Sequence, residues 1–351
     1  MVNEPCSWPY PAVATGIGPM PGVDSREAMN VAAGEFADFI PLIELPARGP
    51  GADPVGRTAA LLAEVDRSFE VETTPSGWRL GHTGQRVLAR ARGYLSEDFD
   101  ALEEFAVGSG NPVPIKVAIA GPWTLATGIA DPAGEALLRD GGAVGDLTEA
   151  LAQAAGDLVH RLRRWVADDA LVIQLDEDVV PEVLAGRVPM SSGRLAHRSV
   201  EPGIVQGRLG AVTAAIQAAG ARVVIRCHAK QVPVDLFRDT GTDALAVDLG
   251  REQLDDEALP RAWEAGFGLL LGCVPIVDAA SDTARSGDTA LSARLRGFMS
   301  DHGFASVPAN IAITPRGGLA HISMADARAT ISACARVGAV VRDERENADV
   351  H

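Results

Sequence analysis

Short runs of apolar and β-branched residues recur along this chain. Each is followed by a polar or glycine-containing turn and then by a longer stretch whose apolar positions fall at helical spacing. This rhythm predicts strand, loop and helix in repetition. Eight strands are expected, at Ala12–Ile17, Asp38–Glu44, Ile115–Ala120, Leu171–Asp176, Arg222–Cys227, Ala244–Asp248, Gly268–Cys273 and Asn310–Thr314. Helical periodicity falls on Asp146–Ala167, Glu201–Ala219, Asp255–Ala265, Ser292–His302 and Met324–Val337.

Eight strands alternating with helices fit the α/β class, and within it a (β/α)8 TIM barrel formed as one domain by residues 1–340. A doubly wound open sheet is the alternative. No G-x-G-x-x-G follows a strand, which weakens that alternative as a dinucleotide binder. The interval Pro46–Pro114 is too long for an ordinary βα connection and contains Gly49-Pro50-Gly51 and Thr73-Thr74-Pro75-Ser76-Gly77. It is expected to be an insertion over the barrel mouth with helices of its own. Residues 341–351 are polar and charge-rich, and are expected to form a disordered tail.

Composition narrows the possible partners. A chain of 351 residues with 47% hydrophobic content can bury a large core. A formal charge of −16 and a pI near 4.8 argue against a nucleic-acid groove or an anionic membrane surface and leave small molecules as the expected ligands. No stretch approaches the ~18 consecutive apolar residues of a membrane span. Met1–Pro5 does not begin a secretory leader, so a cytoplasmic location is expected. Cys6, Cys227, Cys273 and Cys334 are too few and too scattered for a disulfide framework and are read as reduced thiols. There is no G-x-S-x-G elbow, no P-loop and no His-Glu-x-x-His.

In a (β/α)8 barrel the chemistry collects at the C-terminal strand ends. Here those ends read Gly18-Pro19-Met20-Pro21-Gly22, Glu44, Gly121-Pro122-Trp123-Thr124, Asp176-Glu177-Asp178, Cys227-His228, Asp248, Cys273 and Thr314-Pro315-Arg316-Gly317-Gly318. Glu44, Asp176 and Glu177 can converge on a ligand ammonium or serve acid–base chemistry. Taken singly, each could instead cap a helix or pair with Arg48, Arg57 or Arg226. Cys227, His228, Asp248 and Cys273 follow three consecutive strands and carry zinc-competent groups. Strand alternation keeps Cys227 and His228 from both facing the centre, and Cys273 taken alone reads as a buried apolar filler. Trp78 and Trp123 are the aromatics best placed to stack on a planar ligand or to pack a lid.

Three stretches together carry a resemblance: Ala14-Thr15-Gly16-Ile17-Gly18-Pro19-Met20-Pro21-Gly22, Gly121-Pro122-Trp123-Thr124-Leu125 and Gln174-Leu175-Asp176-Glu177. In this order and spacing the chain resembles the catalytic C-terminal domain of cobalamin-independent methionine synthase, and more closely its short single-barrel actinobacterial and archaeal relatives. The resemblance covers nearly the whole chain up to Val337. It implies a zinc ion that activates the thiol of homocysteine for attack on a methyl group carried by methyltetrahydrofolate or a methylcobamide, because a coordinated thiol is deprotonated at neutral pH. The partners it implies are a small thiol amino acid and a methyl donor. Glu44 and Asp176 match the carboxylates that hold the amino group. Gly18, Met20 and Trp123 join them as substrate-binding candidates, and Asp176, Glu177 and His228 are the candidate catalytic set.

The metal ligands of that family do not carry over. Position by position, its His becomes Arg226, its Cys becomes His228, its Glu becomes Asp248 and its final Cys becomes Gly317. A guanidinium stays protonated and glycine has no side chain, so neither can bind zinc. Asp178 stands where the family has Pro, and Pro19 where it has Ser. With Asp178 beside Asp176, and Arg226 on the next strand end, an ion pair is expected in the space of the metal.

These residues support two functions of different class. One is a methyltransferase with a rearranged zinc centre of His228, Asp248 and Cys273. The other is a metal-free protein that binds an amino acid or pterin without methyl transfer, as a sensor or partner subunit. A third reading keeps only the fold, shared with uroporphyrinogen decarboxylase, but the first-strand loop lacks the arginine cluster that such chemistry needs. The oligomeric state is not readable from the chain.

Overall fold

The expected strands form in a computed structural model that describes residues 13–36, 38–109, 114–166, 170–250, 253–254, 257–276, 288–303 and 310–349. The barrel strands are β1 Val13–Ala14, β2 Ile40–Pro41, β3 Ile115–Ala120, β4 Leu171–Asp176, β5 Arg222–Arg226, β6 Ala244–Asp248, β7 Gly268–Val274 and β8 Ile311–Pro315. They lie in one parallel sheet in the order β1-β8-β7-β6-β5-β4-β3-β2. This is the TIM-barrel-like arrangement expected from the alternation. The three strands β3, β4 and β6 match their predicted bounds; Ala12 of the first expected strand lies outside the described residues.

The two ends of that order meet at a seam with little ladder, and one residue accounts for much of it. Ile40 and Leu42 donate their N–H groups to β3, at Pro114 and Lys116. The residue between them, which faces β1, is Pro41, with no N–H to give. Gly16 packs against the Pro41 ring, where a Cβ at position 16 would lie 2.8 Å from Pro41 Cγ. Beyond the strands the seam is crossed by a bond from Met20 N–H to Glu44 O at 2.9 Å.

Helices cover the outside of the sheet: α1 Ser25–Glu35, α2 Pro54–Val65, α3 Gln85–Ser109, α4 Pro122–Gly128, α5 Gly141–Leu162, α6 Val180–Leu184, α7 Pro202–Ala218, α8 Val234–Arg238, α9 Ala258–Glu264, α10 Asp288–Asp301 and α11 Met324–Asp349. Several begin as the sequence chemistry requires, with Asp24, Asp53 and Asp140 accepting backbone N–H groups at the first turns of α1, α2 and α5. The last helix departs from expectation: backbone expected to be a disordered tail is helical through Asp349, and 350–351 lie outside the described residues. Arg342 pairs there with Asp38 at 2.6 Å, so this polar segment has a partner on the barrel.

Between β2 and β3 the long interval contains α2, α3 and an antiparallel hairpin, Val71–Thr74 with Gly77–Leu80. The hairpin also pairs in parallel with Ile129–Ala130, after α4. Trp78 donates its indole N–H to Asp53 at 3.0 Å, which ties the hairpin to the start of α2. Residues 110–113 of this interval lie outside the described residues.

Two apolar layers result. Ile17, Phe39, Val172, Val224, Ala244, Ala246, Leu270 and Ala312 fill the barrel interior. The alternate strand residues, such as Ile173, Ile225, Val247, Leu271 and Ile313, pack outward against the helices. This parity decides which strand-end residues reach the mouth. Among the described residues no helix is long and apolar enough to cross a membrane.

Candidate functional site

Above the apolar interior the inward positions turn polar. Lys116 on β3 donates to Gln174 Oε1 on β4 at 2.6 Å, and Gln174 Nε2 donates to Asp176 Oδ1 at 2.7 Å and to Ile17 O at 2.9 Å. Asp176 lies directly opposite Arg226 in the β4–β5 register. The Arg226 Nε–H bonds Asp176 Oδ1 at 2.8 Å, while Nη2 lies 3.1 Å from Asp178 Oδ2. Burial works against this guanidinium, yet Asp176 and Asp178 outweigh it and raise the Arg226 pKa above its ordinary value. The expected ion pair is therefore present.

Glu44 stands beside this pair. It is buried, and neither carboxylate oxygen has a hydrogen-bond partner among the described residues. Burial, with help from Asp176, pushes its pKa up to about 7 against the opposing pull of Arg57, Arg226 and Lys116. Lys116 shifts the other way, down to about 8, because burial outweighs Asp176 and Glu44. Arg57 is held from behind by Asp98, which also receives Arg48 at 2.9 Å, so α3 sets the position of a cation that acts on Glu44.

Glu177 points elsewhere. Helix α4 opens on Gly121 and Pro122 and has no side-chain cap of its own. Glu177 supplies one from the neighbouring strand end, accepting the N–H groups of Trp123 at 2.9 Å and Thr124 at 3.0 Å as well as the Thr124 hydroxyl. Gly121 is required by this contact, since a Cβ there would collide with the Glu177 carboxylate. Burial raises Glu177 to about 8 despite these bonds. Its carboxylate is a cap and is not directed at the Arg226 cluster.

The other predicted residues separate by parity. His228 lines the mouth cavity, accompanied by a backbone bond from its N–H to Asp178 Oδ1 at 2.7 Å. Burial and then Arg226 lower its pKa to about 4, so the ring is neutral at pH 7, and Nε2 has no partner among the described residues. Cys227 faces the outer layer, with burial raising its thiol to about 12. Cys273 does the same on β7, also at about 12. Trp123 is packed in the outer core with its indole N–H toward Val205 O, and Met20 is buried at the seam. Gly18 is half-buried and lies against Gly318.

Asp248 on β6 is held by Arg316 at the end of β8, with Nε 2.7 Å from Oδ1. Arg316 passes over Gly250, where any Cβ would clash with its guanidinium. These residues surround a cavity of about 1460 Å³ at the strand ends, lined among others by Asp178, Arg226, His228, Asp248, Arg316 and Gly317. The sequence does not single out Lys116, Arg57 or Arg316 as site residues. For Lys116 the available signal is a lone charge at an inward position of an apolar strand.

Zinc does not fit this donor set. Of the four matching positions, Arg226 and Gly317 offer no ligand atom, and Asp248 is engaged by a guanidinium. Cys273 lies in the outer layer, so His228, Asp248 and Cys273 do not converge as the rearranged centre required. Among the described residues no group of three His, Cys, Asp or Glu side chains is arranged to hold a metal ion.

No family model and no curated protein matches this chain. Among solved structures, a B12-independent methionine synthase from Shewanella sp. W3-18-1, in complex with selenomethionine, is similar over 96% of this chain and 99% of its own, with a TM-score of 0.58 at 12% identity. An oxaloacetate acetylhydrolase in complex with oxalate overlaps 87% of this chain and 75% of its own at a TM-score of 0.34 and 13% identity, and carries no weight at that level. Likeness at such identity shows the fold alone, a TIM-barrel-like arrangement.

Proposed function

We propose that this chain is a methionine-synthase-like barrel that binds a small amino acid by its ammonium group at Glu44 and does not activate a thiol with zinc. The observation that carries this reading is the Glu44 carboxylate, buried with both oxygens lacking a protein partner among the described residues. A buried acceptor left unpaired is costly, and a ligand ammonium brings three N–H donors to it. The fold neighbour bound to selenomethionine makes methionine the first ligand to try. Arg226, standing at a metal position and clamped by Asp176 and Asp178, supports loss of the metal.

The experiment is a calorimetric titration of the full chain with L-methionine, run beside zinc analysis after exposure to zinc and dialysis. Methionine is expected to bind, Glu44→Ala to abolish binding, and zinc to remain far below one per chain. About one zinc per chain, together with turnover of homocysteine with methyltetrahydrofolate or a methylcobamide, would overturn the proposal and restore the methyltransferase reading.

A further inference from the structure

The cavity wall formed by the segments after β4 to β8 has a chemistry that an ammonium does not use. Four cations line it, Arg187, Arg226, Lys230 and Arg316, against three carboxylates, Asp178, Glu182 and Asp248. Three of these cations are matched: Arg187 with Glu182 at 2.7 Å, Arg226 with Asp178 at 3.1 Å and with Asp176 behind it at 2.8 Å, and Arg316 with Asp248 at 2.7 Å. Lys230 is exposed and has no partner among the described residues. The Asp176 carboxylate behind Arg226 balances the fourth cation, so this wall is near neutral on a chain whose formal charge is −16.

The way each guanidinium is held matters as much as the charge. Asp248 engages Arg316 through Nε, and neither η nitrogen of Arg316 has a partner among the described residues. Asp176 and Asp178 take Nε and Nη2 of Arg226, which leaves the Nη1 donors uncommitted among the described residues. A guanidinium fixed by a carboxylate at its root presents its remaining N–H groups as a preorganised fork, the geometry that suits planar or tetrahedral oxyanions. Gly317 and Gly318 line the same cavity without side chains to fill it.

We propose that the mouth binds an oxyanion, a carboxylate or phosphate of a small ligand, through Arg316, Arg226 and Lys230 at the ends of β5 and β8. The inference deepens the amino-acid reading and rests on it through Arg226, which lines this cavity and whose charge acts on Glu44: the ligand carries an ammonium for Glu44 and an anionic group for the arginines. Anion binding here replaces the cation that the resemblance would place at these strand ends.

The test uses the full chain titrated separately with inorganic phosphate and with malonate at constant ionic strength. At least one is expected to bind, phosphate alone marking a phosphorylated ligand and malonate alone a carboxylate. Arg316→Gln is expected to weaken binding about tenfold and Lys230→Ala about threefold, in line with loss of charge-assisted bonds. Should Arg316→Gln fail to fold, Arg316→Lys keeps a charge beside Asp248 while losing the fork, and is expected to bind more weakly than the parent. The proposal falls if neither anion binds, or if a folded Arg316 variant binds as well as the parent. Anion binding without methionine binding leaves this inference standing and removes the amino-acid reading, and methionine binding without either anion does the reverse.

Discussion

Arg226 Nε lies 2.8 Å from Asp176 Oδ1, across a register that makes the two residues direct partners on neighbouring strands. The same guanidinium reaches Asp178, so one side chain pairs with two carboxylates where the resemblance expects a metal ligand. The two carboxylates differ in burial, and burial sets how strongly each depends on the guanidinium. The Asp176 side chain is only 7% exposed, whereas that of Asp178 is 46% exposed.

Arg226→Ala is accordingly expected to be destabilising through Asp176 far more than through Asp178. Removing one partner of a buried pair leaves an uncompensated charge, and a loss of roughly 3 kcal/mol is expected. Asp178→Ala should cost under about 1 kcal/mol, as for an exposed pair. Urea midpoints of the two variants check the contrast.

Stability should fall as pH rises from about 6.5 to 8, above the range in which His228, neutral in the folded chain and protonated in the unfolded one, acts in the opposite direction. Glu44 has its folded pKa raised from 4.5 to about 7 and Glu177 to about 8, so the folded chain holds protons that the unfolded chain has released. Their contribution is full below the unfolded value and is lost as pH passes the folded values. Glu44→Gln is expected to flatten the lower part of this slope and to be more stable than the parent at pH 8, measured by denaturant titration across pH. Methionine affinity should move in the opposite direction, tightening as pH rises through about 7, because the ammonium binds the ionised carboxylate.

Glu177→Ala is expected to lower stability by roughly 2 kcal/mol, the loss of a helix cap and of a buried acceptor for two backbone N–H groups. Methionine affinity of the folded variant should change little, since this carboxylate is committed to α4. Thermal melting and calorimetry on the same sample separate the two effects.

Cys273→Ala is expected to leave metal content unchanged and to cost roughly 1 kcal/mol for the small cavity it leaves in the outer layer. A fall in bound zinc in this variant would contradict the placement of its thiol among the helices.

The strands are legible in the sequence because their apolar runs are bounded by turn residues, and β3, β4 and β6 end at the predicted residues. Facing is harder to read. Leu269 to Val274 is buried on both sides, so no polar alternation in the sequence says whether Cys273 or Gly272 turns inward. The β7 register, with Gly272 opposite Asp248, settles it. The pairing of Asp176 with Arg226 can be read from the chain because they sit on adjacent strand ends. Asp248 and Arg316 are 68 residues apart with β7 between them, and they meet across Gly272, where a Cβ would lie 3.2 Å from the Cα of each. Glu177 and Trp123 fall in matching motifs, yet their burial gives one to a helix start and the other to the core.

The Pro41 seam gives the barrel a place to report on its own occupancy. The backbone bond that crosses it ends on the carbonyl of Glu44, the residue whose side chain is offered to the ligand. Carbonyl and carboxylate belong to one residue, so a ligand that grips the carboxylate is expected to steady the seam. The Met20 amide is then a built-in gauge: its hydrogen-exchange rate should slow on binding at Glu44, far more than amides of the continuous β3–β4 ladder.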